Sequence, residues 1–285
     1  MRLIRHGELN KEKTGIAIGD TWYDTSAFGE DYNELFFETN GLERLAAFVD
    51  AHQGQLALVD PATRLGSPVA RPSKIVCIGL NYIDHARETN ATPPAEPIIF
   101  LKSTSSLAGP NDTIIIPKNS EKTDWEVELA VVIGKKASYV EEADAEQYIA
   151  GYVLHNDVSE RAFQLERGGT WDKGKGSDTF ALLGPYMVTP DEVADVNNLR
   201  LWLSVNGHTY QDGNTSNLIF NVPFLIHYVS QFMTLLPGDV ISTGTPAGVG
   251  LGLKPQVYLQ PGDVVELGIE GLGQAKQKVQ AYQPA

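Results

Sequence analysis

The chain has 285 residues, 42% hydrophobic and 20% charged, enough to bury a substantial core and typical of an ordinary globular protein with one main domain and a small one. A formal net charge of −14 argues against nucleic acid or an anionic membrane as partner, since both need a basic surface. An anionic small substrate would need positive charge supplied locally, by a metal or by selected lysines and arginines. No apolar run approaches the roughly 20 residues of a membrane helix, and the start, Met1 to Gly7, has no signal-like apolar core, so a cytoplasmic protein is expected. The single cysteine, Cys77, fits a reducing compartment, and its apolar setting marks it as a packing residue.

Residues 1–70 are expected to form a small N-terminal domain, with strands near 2–5 and 15–18 and a helix over 42–51, and no evident chemistry. The Pro- and Gly-rich stretch 65–73 reads as a linker, and 71–285 as the main domain, with regular structure from Lys74. β-like runs follow at 75–78, 98–101, 113–116, 127–133, 151–154, 199–205, 240–242 and 264–269, separated by Gly, Pro, Asn and Asp. Helical patterns are fewer: 142–149, and 222–233 with Pro223 in its opening turn, where proline is tolerated. The balance predicts a β-rich α+β fold.

Within the run at 125–134 stand two acids, Glu126 and Glu128. Strand side chains alternate faces, so both carboxylates point the same way, where they repel and are costly to bury unless neutralised. A hard divalent cation such as Mg²⁺ or Mn²⁺ would do so; a solvated edge strand would also explain them, and from the strand alone the two readings stand level. A third acid, Asp157, follows the apolar run 151–154 and tips the reading toward an octahedral oxygen site, whereas the absence of a Cys or His cluster gives zinc little support. Further upstream, His85 and Glu88 lie three apart and share a face if 83–88 is helical. A carboxylate beside imidazole can orient a general base, although such a pair alone is ordinary surface decoration. The proline-rich stretch 89–97 fits either a mobile lid or a static loop. Two glycine-containing segments, 172–180 with Lys175 and 241–250 with Thr245, could bring amides and polar side chains to a carboxylate. Tight turns are the alternative reading of both, and neither matches a nucleotide-binding loop.

In this order, Gly79-x-Asn81-Tyr82-x-x-His85-x-x-Glu88, Asp124-Trp125-Glu126-Val127-Glu128-Leu129-Ala130, Asn156-Asp157-Val158-Ser159-Glu160-Arg161, Lys175-Gly176-Ser177-Asp178, Gly184-Pro185 and the segment from Pro237 to Gly250 resemble the fumarylacetoacetate hydrolase family over about 74–279. The resemblance implies a mixed β-sandwich roll, a homodimer, and one Mg²⁺ or Mn²⁺ per subunit. It implies metal ligands Glu126, Glu128 and Asp157, a water-activating pair His85 and Glu88, and Lys175 as the group that stabilises substrate negative charge. Thr245 would hold a pyruvate-like carboxylate, and Arg161 and Gln164 would line the pocket. Gly176-Ser177 departs from the Ser-Phe frequent between Lys and Asp, which bears on local pocket shape. The chain as a whole is most similar to bacterial members described as 2,4-diketo-3-deoxy sugar acid (rhamnonate or fuconate) hydrolases, also described as ureidoglycolate lyases. The implied activity is hydrolytic C–C cleavage of a small anionic 2,4-dioxo acid to pyruvate and a hydroxy acid. Decarboxylation of an oxaloacetate-like acid and ureidoglycolate cleavage are the alternatives; a carboxylate- or metal-binding module without catalysis would have no use for a base.

Overall fold

The computed structural model describes residues 1–52 and 54–284. At its centre is Val127–Ile133, a strand whose seven residues are all buried. Val127, Leu129, Val131 and Ile133 enter one hydrophobic core and Ala130 and Val132 another, so the strand is covered on both faces and Glu128 is the one charged residue in an otherwise apolar run. It lies in an 11-stranded sheet whose main path runs Thr21–Asp24, Lys13–Ile18, Arg2–His6, Ala181–Val188, Ile149–Asp157, Val127–Ile133, Val240–Ser242, Ile75–Gly79, Ile98–Lys102. A five-stranded sheet, in the order His208–Asn214, Arg200–Val205, Val264–Ile269, Gly273–Ala281, Ile114–Ile116, packs on one face, with Leu201, Leu203, Val265 and Leu267 meeting Leu129 and Val131 in the larger core. The result is a mixed, sheet-rich α+β sandwich, as expected. Among the described residues, no helix is long and apolar enough to cross a membrane.

The helix expected at 222–233 runs Val222–Phe232, capped by the Asn221 side chain, which accepts from Phe224 N at 3.0 Å. Val222, Leu225, Ile226 and Val229 make its buried stripe. The helix expected at 142–149 is instead 3-10 over Glu142–Tyr148. Only Ala145 is buried there, and Glu141, Glu142, Asp144 and Glu146 crowd like charges together, so no packed face sustains an α-helix.

Two other features differ from their sequence reading. The stretch read as a linker is packed rather than exposed: Leu65 and Gly66 pair with Arg2–His6, and Val69 is fully buried. The N-terminal strands join the larger sheet through Arg2–His6, which pairs with Ala181–Val188. Sequence reading also passes over Gly273–Ala281, whose inward residues are Ala275, Gln277 and Val279; Gln277 is buried because it accepts from Asn156 Nδ2 (2.6 Å) and donates to Pro110 O (2.9 Å).

Candidate active site

Glu126, Glu128 and Asp157 converge although the last comes from a different strand, because Val127–Ile133 and Ile149–Asp157 pair antiparallel with Val127 opposite Asn156 and Glu128 opposite His155. One oxygen from each carboxylate lies within 4.8 Å of the other two, and all three side chains are buried. Glu128 Oε2 accepts from Ser242 Oγ (2.5 Å) and Gly244 N (2.9 Å). Ser242 is itself held by His155 Nδ1 at 2.6 Å; since the serine proton goes to Glu128, the imidazole donates from Nδ1. Burial pulls the His155 pKa down to about 3, against the opposing pull of Asp157, so this ring stays neutral.

Three cations face the acids. Lys175 Nζ donates to Glu126 Oε2 (2.6 Å) and Asp157 Oδ2 (2.9 Å). Lys102 Nζ bonds Asp157 Oδ1 and donates to Val158 O (3.0 Å). Arg161 donates from Nε to Asp124 Oδ2 (2.8 Å) and from Nη1 to Gln164 Oε1 (3.0 Å), while Nη2 stands 2.7 Å from Glu126 Oε1 as an ion pair off the hydrogen-bond line. Burial disfavours the charge on Lys175, but Asp157 and Glu126 outweigh it and its pKa is raised. For Lys102 burial prevails over Asp157, and its pKa is lowered. Burial would raise the Asp157 pKa; Lys102 and Lys175 overcome this and lower it. Glu128 has no cation of its own: burial first, then Asp157 and Glu126, push its carboxyl well above the usual range.

The charge count explains what this cage is suited to hold. Asp124, Glu126, Glu128 and Asp157 face Lys102, Lys175 and Arg161, a formal excess of one negative charge in a dry interior. A divalent cation on the three carboxylates would turn that into an excess of one positive charge, which suits an anionic substrate. The all-oxygen donor set fits Mg²⁺ or Mn²⁺. Because the cation would require Glu128 ionised, Mn²⁺ affinity measured by calorimetry is expected to rise with pH, by up to about tenfold per unit while Glu128 still binds a proton.

The short helix Ile83–Glu88 brings His85 and Glu88 onto one face, with His85 Nδ1 3.4 Å from Glu88 Oε2. Glu88 Oε1 accepts from Gly248 N at 2.9 Å. Asn81, just before the helix, donates from Nδ2 to Thr243 O (2.8 Å), next to the Gly244 amide that holds Glu128. Thr245 is buried beside the acids, but its hydroxyl donates to Val127 O (2.9 Å) and accepts from Gln211 Nε2 (2.8 Å). In this structure that side chain fastens loop to strand. Lys175 ends the helix Asp172–Lys175, which packs so closely on Arg161–Leu165 that a Cβ on Gly174 would lie 2.5 Å from Glu160 O. Glycine at 174 is therefore what lets the lysine reach the acids.

Lys102 and Asp124 belong to the site although sequence reasoning passes over the first and quotes the second only as the head of a motif, with no role. A signal for Lys102 exists, since it ends the apolar strand Ile98–Lys102, an unusual place for an ammonium that finds no water. Lys102→Met is expected to destabilise the metal-free protein by about 3 kcal/mol in urea denaturation, because it strips a partner from a fully buried carboxylate that keeps only Lys175.

The chain is similar to known proteins over its whole length. The family model described as fumarylacetoacetate (FAA) hydrolase C-terminal matches residues 74–280. A protein of Burkholderia multivorans, described as a candidate hydrolase, is 53% identical over 283 residues, covering 99% of each chain. The solved maleylpyruvate hydrolase of a Sphingobium species, in complex with manganese(II) ion and pyruvate, is 30% identical with a TM-score of 0.83, covering 99% of this chain and 100% of that one. The 2-hydroxyhepta-2,4-diene-1,7-dioate isomerase of Mycobacterium marinum is 32% identical with a TM-score of 0.75, covering 100% of both chains. With the family model spanning most of the chain and a relative at that identity end to end, this protein belongs to the fumarylacetoacetate hydrolase family.

Proposed function

We propose that the protein hydrolyses a C–C bond of a 2,4-dioxo acid of the acylpyruvate type, such as a 2,4-diketo-3-deoxy sugar acid, releasing pyruvate and a second acid. The observation that carries this reading is the loop 244–248. Its Gly244 amide holds Glu128 and its Gly248 amide holds Glu88, so a cation cage and a carboxylate-oriented imidazole are built on one backbone segment.

In this reading His85, oriented by Glu88, takes a proton from the water that adds to C4. The C3–C4 bond then breaks, its electron pair passes into the pyruvate fragment as an enolate, and a proton on C3 completes pyruvate. Lys175 is charged, buried and aimed into the cage, ready to stabilise the developing negative charge. Arg161 and Gln164, buried and hydrogen-bonded to each other next to Glu126, would serve as polar contacts for the substrate. A bound Mg²⁺ or Mn²⁺ supplies Lewis-acid charge and a template for the 2-oxo acid end. The reading includes a homodimer with one cation per chain, which light scattering and metal analysis would measure.

Isomerisation of an unsaturated 2-hydroxy diacid is the second reading, favoured by the M. marinum isomerase among the solved relatives. It uses the same base and the same charge stabilisation without adding water. To decide, the protein with Mn²⁺ or Mg²⁺ is offered acetylpyruvate, a 2,4-diketo-3-deoxy sugar acid, 2-hydroxyhepta-2,4-diene-1,7-dioate, oxaloacetate and ureidoglycolate, while pyruvate, diene absorbance, carbon dioxide and urea are followed. Stoichiometric pyruvate from a dioxo acid is expected. Turnover confined to the diene, to carbon dioxide release or to urea release would overturn the proposal.

A further inference from the structure

We infer that Asp124 is a positioning residue that fixes the base pair His85/Glu88 relative to the carboxylate strand. This rests on the role given above to His85 and Glu88. Asp124 is fully buried and lies two residues before Glu126. Its Oδ1 accepts from Trp125 N (2.8 Å) and Gly250 N (2.7 Å), and its Oδ2 from Arg161 Nε (2.8 Å) and Leu251 N (3.0 Å). The neighbouring Trp125 indole donates to Gly248 O at 3.1 Å. Asp124 and Trp125 therefore anchor the loop 248–251 from the side of the metal-ligand strand.

The same loop bears on Glu88. Gly248 N donates to Glu88 Oε1 at 2.9 Å, and a Cβ added at Gly252 would lie 2.4 Å from Glu88 Cδ. Gly250 is equally confined, since a Cβ there would stand 1.9 Å from Val257 O and 2.8 Å from Asp124 Oδ1. On its other side Asp124 holds Arg161, whose Nη2 faces Glu126. One carboxylate thus sets the spacing between the group that orients the imidazole and a ligand of the cation cage. Such spacing governs rate, because outer-sphere partners that orient active groups contribute about 10–100-fold in known sites.

Asp124→Asn keeps the shape but turns an NH₂ toward two of the four donors, so half of the anchor is lost. Three measurements on the full-length, Mn²⁺-loaded protein test the inference. Hydrogen–deuterium exchange of the segment 247–253 is expected to quicken by about tenfold or more while 127–133 stays protected. With acetylpyruvate, kcat is expected to fall about 10–100-fold with KM little changed. Trp125→Phe, which removes the indole donor together with part of a buried ring, and Gly252→Ala, which displaces Glu88 directly, should both lower kcat in the same way. Wild-type exchange and kcat in Asp124→Asn would overturn the inference; if that variant does not fold, wild-type values in Asp124→Glu, which keeps the charge but displaces the carboxylate by one methylene, would do so. His85→Ala separates the two levels: wild-type turnover there removes the base assignment, while the exchange data still decide whether Asp124 anchors the loop.

Discussion

Glu128→Gln is expected to lower kcat/KM for an acylpyruvate by about 10³-fold, equivalent to about 4 kcal/mol, with loss of tight Mn²⁺ binding. Metal-free, the same variant should be more stable than the parent. The substituted amide keeps the shape and can still accept from Ser242 and Gly244, but it carries no charge into the dry cage. The sign follows from the raised carboxyl: its proton is held in the folded chain and released in the unfolded chain above the ordinary value of 4.5. Its contribution to stability is therefore full below that value and declines as pH rises toward the folded pKa. At pH 8 without metal the Gln variant should exceed the parent by about 1–3 kcal/mol in urea denaturation, and saturating Mn²⁺ should reverse the order. A Gln variant that binds Mn²⁺ like the parent would remove Glu128 from the ligand set.

His85→Ala is the second large effect. Removing a positioned general base costs about 10²–10⁴-fold in rate, so kcat should drop into that range while Mn²⁺ affinity stays that of the parent. The separation is expected because His85 lies on the Ile83–Glu88 helix, whereas the cage is built on Glu126, the strand Val127–Ile133 that follows it and the end of Ile149–Asp157. Glu88→Gln should give a smaller loss, since the imidazole remains and only its orienting charge is gone. Calorimetry beside steady-state kinetics reads both quantities. Parallel loss of metal and activity in His85→Ala would show that the helix shapes the cage rather than serving as the base.

What can be read in the sequence follows from how local each feature is. Val127–Ile133 and Ile149–Asp157 announce themselves as apolar runs, and the two-residue period alone puts Glu126 and Glu128 on one face. The convergence of Asp157 on that face needs the antiparallel register, which no local pattern carries; the ordered family motifs supply it. Gly273–Ala281 and Ala181–Val188 escape because one buries Gln277 where an apolar residue would be expected and the other carries Gly184-Pro185, which reads as a turn. The larger-sheet pairing accommodates the latter with a register shift between Val153 and His155. Asp124 and Lys102 are silent for a different reason. Their partners, Gly250, Leu251, Arg161 and Asp157, lie tens of residues away or more, so only the assembled fold shows that a strand-end lysine and an aspartate beside a tryptophan belong to the site.

The most direct test of the central claim, that a cation in the Glu126/Glu128/Asp157 cage enables cleavage of a 2,4-dioxo acid, is a titration of the metal-free protein with Mn²⁺ while pyruvate release from acetylpyruvate is followed. Pyruvate formation should rise from near zero and saturate at one Mn²⁺ per chain. Release at the full rate in the presence of excess chelator would contradict it.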